Sequence, residues 1–119
     1  MLLAPAIGPM PFIDRFTRFI GLPPERIPGM LRELEERVGV RLGQIDARLV
    51  APSLQLPALV LHDPEDDQVA FTQGQELARA WPSAGLIAKD GLGHSRILKD
   101  PDTIRVAVDF ILRQAVTSR

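Results

Sequence analysis

The sequence predicts an α/β fold, a partial doubly wound sheet of two to three parallel strands with about four helices. Three observations carry that reading. Pro57–His62 and Leu86–Ala88 are short, continuous apolar runs, the pattern of strands covered on both faces. A helix-patterned segment separates them, and a crossover of that length joins parallel strands with a right-handed connection. Each run also ends in a polar turn, the first acidic and the second a glycine-framed histidine. Parallel strands bring such turns to one edge of the sheet, where ligands bind in open α/β folds.

The first fifty residues are a short apolar segment followed by helices. Met1–Ile7 lacks a basic leading region and is broken by Pro5, so it reads as a strand end and not as a signal peptide. Phe12, Phe16, Phe19 and Ile20 recur at helical spacing, which makes the phenylalanines packing residues, and Gly21 supplies the stop. Pro24 marks the start of a second helix, whose apolar stripe is Ile27, Leu31, Leu34 and Val38 and whose end is Gly39. Because Pro28 lies within that stripe, the helix proper is expected to begin only after it. The polar face pairs Glu33 with Arg37 at i,i+4 spacing, worth about 0.3 kcal/mol. Asp46–Leu49 has room for one further turn.

Residues 51–119 alternate strand, helix, strand, helix. After the first strand, Thr72-x-x-Gln75 has the form of a capping box opening a helix that runs to Trp81. Following the second strand, Asp100 caps the last helix with Pro101 in its first position. Ile104, Val108, Ile111 and Leu112 form its expected inner face.

Composition narrows the classes of function. The 119 residues form one domain or a piece of one, with the 45% hydrophobic and 24% charged content of a folded protein. Fourteen Lys plus Arg face fifteen Asp plus Glu, for a net charge of −1 without any basic run, so nucleic acid is not an expected partner. No apolar run approaches the ~20 residues of a membrane span, and a cytoplasmic location is expected. The absence of cysteine excludes disulfides and thiolate chemistry. The acidic loop lacks the spacing and glycine of a calcium loop, and His62 with His94 falls short of a zinc ligand set. Neither a metal nor a cofactor is expected.

The chemistry concentrates in His62-Asp63-Pro64-Glu65-Asp66-Asp67-Gln68-Val69 and in Gly91-Leu92-Gly93-His94. A histidine has the ordinary pKa, about 6.5, of a general base, and a carboxylate on its second nitrogen fixes the tautomer. From about Leu56 to Leu112 this pattern resembles the C-terminal half of α/β-hydrolase fold enzymes of the serine esterase and lipase kind. The resemblance makes Asp66 the catalytic acid, three residues before Val69, and His94 the base. Asp67 is the alternative acid. Two positions differ from the family's frequent residues: Asp63 stands where Gly is common, and Ala70 where Pro is. By the same resemblance, Met1–Pro9 is similar to the strand after the nucleophile helix, and residues 10–50 to the helical insertion before the acid strand.

No Gly-x-Ser-x-Gly turn occurs, and Ser53, Ser83, Ser95 and Ser118 stand on no strand-to-helix elbow. The resemblance therefore implies a chain derived from a hydrolase of esters or similar acyl substrates, inactive alone until an N-terminal half completes it. The alternative is a non-catalytic module. It would form a homodimer, or pair with a separate N-terminal half, through an open edge at strand 1–7 or 57–62.

Overall fold

Parallel strands β1 (Leu2–Leu3), β2 (Ala58–His62) and β3 (Ala84–Ala88) form one sheet in that order in a computed structural model, which describes residues 1–117. Ser118 lies outside the described residues. Val60 is registered with Leu2 on one side and Leu86 on the other, and His62 with Ala88. The helices are α1 (Met10–Phe19), α2 (Ile27–Val38), α3 (Ala47–Val50), α4 (Phe71–Ala80), α5 (Gly93–Arg96) and α6 (Pro101–Thr117). Four are the long helices expected from periodicity. The other two, α3 and α5, are single turns, and α5 carries His94. None of the described helices is long and apolar enough to cross a membrane.

Side chains alternate across β2, and each face meets its own layer. Leu59 and Leu61 pack with Ile97 and Ala107 beneath α6, joined by the half-buried Val106 and Phe110. On the opposite face, Gly74 brings α4 against Val60 and His62. Ile7, Ala51 and Leu77 extend that second core, with Trp81 at its margin donating its indole N–H to the Leu56 carbonyl. Every residue of β2 is buried, the pattern its unbroken apolar run predicts.

Several expectations need correction. Pro57–His62 is the central strand, so it offers no open edge; the outer edges belong to β1 and β3. The N-terminal strand is only Leu2–Leu3, ending at Ala4 with its positive φ of 47°. Leu86–Ala88 is not covered on both faces, because β3 is an edge strand and Ile87 and Ala88 are exposed. The inner face of α6 is Thr103 and Ala107, whereas Ile104, Val108, Ile111 and Leu112 are 48%, 46%, 51% and 58% exposed. This helix is apolar on two sides, so periodicity fits either one. Asp100 caps the helix, accepting hydrogen bonds from both the backbone N–H and the hydroxyl of Thr103.

Helix α1 turns Ile13 and Thr17 inward, and the phenylalanines face out: Phe12 is 70% exposed and Phe19 87%. Phe12 and Phe16 stack on each other instead, ring centres 6.1 Å apart. No residue of α2 is fully buried, so its stripe is only partly covered, although Gly39 ends the helix at φ 78° as expected. Thr72 forms no capping box. Helix α4 starts two residues earlier than a Thr72 cap would place it, at Phe71, after an Ala70 that makes no side-chain cap. Asp46 does cap α3, and Arg48 bridges it to Glu76 on α4 at 2.6 Å.

Candidate active site

The acidic loop after β2 and the turn after β3 meet at the same edge of the sheet because the two strands are parallel and in register. Asp66 folds back over its own loop: Oδ1 accepts the backbone N–H groups of Gln68 at 2.8 Å and Val69 at 2.9 Å. Its Oδ2 lies 2.9 Å from Nδ1 of His94, 28 residues away in sequence. Burial alone pushes this carboxyl up, but the Val69 N–H, the His94 ring and the Gln68 N–H outweigh it and hold the pKa below the ordinary aspartate value. The carboxylate side chain is fully buried, and the His94 side chain is 31% exposed.

An ionised Asp66 can only accept, so the shared proton sits on Nδ1 of His94, and Nε2 is left as the free nitrogen. That is the tautomer of a general base with its orienting acid. His94 is placed by α5, entered through Gly91 and Gly93 at φ 77° and 68°, conformations that cost other residues strain. Asp63, Glu65, Asp67, Gln68 and His94 line an open cleft of about 470 Å³ at this edge.

Asp67, the alternative acid, is exposed and makes no side-chain hydrogen bond among the described residues. The structure therefore pairs Asp66, and not Asp67, with His94. Neither Ser53 nor Ser83 nor Ser95 bonds to that ring; Ser53 caps back onto the Val50 carbonyl. Among the described residues His94 has no hydroxyl partner.

Two buried side chains behind the pair were given no role by sequence reasoning. Asp63 is almost fully buried and spans the two loops: Oδ1 accepts Glu65 N–H at 2.8 Å, and Oδ2 accepts Leu92 N–H at 2.7 Å and Gly93 N–H at 2.5 Å. The Glu65 and Gly93 donors outweigh its burial and hold this carboxyl low. His62 is fully buried, with Nε2 at 2.9 Å from the Val69 carbonyl and 3.4 Å from Oδ2 of Asp66. Phe71 meets its ring edge-on at 5.6 Å. The available signal was a charged and a polar residue ending an otherwise apolar run, since such groups are buried only when partnered.

No family model matches the sequence, and no curated protein matches it. The fold is similar to the crystal structure of MGS-MChE2, an α/β-hydrolase enzyme from the metagenome of sediments of the Mar Chica lagoon, Morocco, with a TM-score of 0.57 and 13% identity. The match covers 96% of this chain and 49% of that one. The likeness is one of fold. Three parallel strands with helices on both faces make up part of an α/β-hydrolase architecture, and the chain spans about half the length of that enzyme.

Proposed function

We propose that this chain supplies the acid and base of an α/β-hydrolase type catalytic centre acting on esters or similar acyl substrates. The observation that carries the reading is the 2.9 Å contact between buried Asp66 and half-buried His94 at the C-terminal edge of β2 and β3. In this role Nε2 of His94 takes the proton of a nucleophile and returns it to the leaving group, while Asp66 holds the ring and stabilises the imidazolium. A nucleophile and oxyanion donors must come from the remainder of the fold, across the free edge of β1. Alone, the chain has a base with nothing to activate, and it is inactive.

The test is ester hydrolysis, measured on the 119-residue chain alone and on the chain co-produced with polypeptide encoded upstream of Met1 in any frame. Activity that appears only in the complex and disappears in His94→Ala and Asp66→Asn supports the reading. No hydrolysis in any combination overturns it, as does His94-dependent hydrolysis by the chain alone.

A second reading, a non-catalytic pairing module, draws on the unpaired outer edge of β1 and on the exposed Phe12, Phe19 and Leu56. A stable homodimer that takes up no upstream polypeptide would favour it.

A further inference from the structure

We propose that Asp63 is a positioning residue for His94, a carboxylate clip that fixes the backbone of the histidine turn to the acid loop. The inference rests on the acid–base reading of Asp66 and His94. It starts from an oddity: Asp63 follows the last residue of β2, is 1% exposed, and forms no ion pair among the described residues. A buried carboxylate without a cation needs several N–H donors, and this one has three. One comes from its own loop, at Glu65. The other two come from Leu92 and Gly93, the two residues immediately before His94.

The geometry assigns the consequence. The loops carrying acid and base belong to different strands, and a 2.9 Å contact between Asp66 and His94 requires both backbones to hold their places. Asp66 is fixed from its own side by the N–H groups of Gln68 and Val69. The base has no such local anchor: α5 is a single turn, entered through two glycines at positive φ and without a side-chain cap from its own loop. Asp63 provides that anchor from across the gap, gripping both N–H groups at the entrance to α5. A glycine at position 63 has no side chain with which to do so.

A purely structural role would lower stability and leave the acid–base contact intact, so the experiment reads that contact directly. The probe is the ring Nδ1–H proton of His94, observed by NMR in the labelled full chain at low temperature, where the variants are folded. In the unaltered chain this resonance is expected far downfield, and Asp66→Asn displaces it. Asp63→Ser is expected to abolish it although Asp66 is untouched. Asp63→Asn, which keeps one accepting oxygen, is expected to retain it in weakened form.

An unchanged resonance in Asp63→Ser overturns the proposal while leaving the acid–base reading standing. A missing resonance in the unaltered chain overturns both. Should the Ser variant fail to fold, hydrogen exchange in the unaltered chain decides: Leu92 and Gly93 amides protected well beyond Gly91 support the clip, and equal exchange at the three overturns it.

Discussion

Gly74 lies directly beneath the ring of His62, so close that a β-carbon added to it would stand 2.6 Å from Nδ1. Among the described residues that nitrogen has no hydrogen-bond partner, and α4 lies against it at Gly74. The other ring nitrogen bonds to the Val69 carbonyl, while Val69 N–H bonds to Oδ1 of Asp66. Gly74, His62, Val69 and Asp66 thus form a chain of contacts from α4 to the acid.

Gly74→Ala is therefore expected to destabilise the protein by about 1–3 kcal/mol, the cost of overpacking a buried site. Elsewhere in a helix the same change stabilises by up to about 1 kcal/mol, so the sign itself is diagnostic. Urea unfolding monitored at Trp81 checks it; an unchanged or raised midpoint would contradict the contact.

Asp66→Asn is expected to cost about 1–3 kcal/mol, because an amide has one accepting oxygen where the carboxylate uses two. An NH2 turned toward Gln68 and Val69 faces two backbone donors, and one turned toward His94 faces the Nδ1–H that the ionised carboxylate accepts. Asp67→Asn, on an exposed side chain, should stay within about 0.5 kcal/mol. Equal unfolding midpoints for the two variants would count against the assignment of Asp66.

Acid should weaken the fold. The carboxyls of Asp63, Asp66 and Asp100 are all held below the ordinary aspartate value, chiefly by N–H donors in Asp63 and Asp100 and against burial in Asp66. A lowered folded-state pKa means the unfolded chain binds protons first as pH falls. Their contribution is complete above the unfolded aspartate value of about 3.9 and disappears as pH drops through the lower folded-state values. Thermal melts between about pH 7 and pH 2 should show this fall, with a shallower slope in Asp63→Asn and Asp66→Asn.

The two sides of α6 should respond oppositely to substitution. Ile111→Glu, on the exposed side, is expected to change stability by less than about 0.5 kcal/mol. Ala107→Leu, beneath β2, should cost about 1–3 kcal/mol by overpacking. Chemical denaturation of both variants checks the rotation of the helix, and the reverse order would mean that the Ile104 side faces inward.

Much of this protein was determined by local sequence. The unbroken apolar run at 58–62 specified a strand buried on both faces. Gly39 and Asp100 marked helix ends through backbone conformation and capping, which act within a few residues. The resemblance carried by the residues around Asp66 and His94 pointed to the two side chains that the sheet brings together. Tertiary structure decided the rest, because those choices lie between segments. Strand order made β2 central and exposed half of β3. Helices apolar on more than one side, α1 and α6, could turn either face inward, and packing turned in Ile13 with Thr17 and Thr103 with Ala107. Burial and reach placed Asp66, and not Asp67, against His94. The roles of Asp63 and His62 were invisible for the same reason: their partners at Leu92, Gly93 and Gly74 come from turns and helices elsewhere in the chain, and a hydrogen bond across two loops leaves no local periodicity to read.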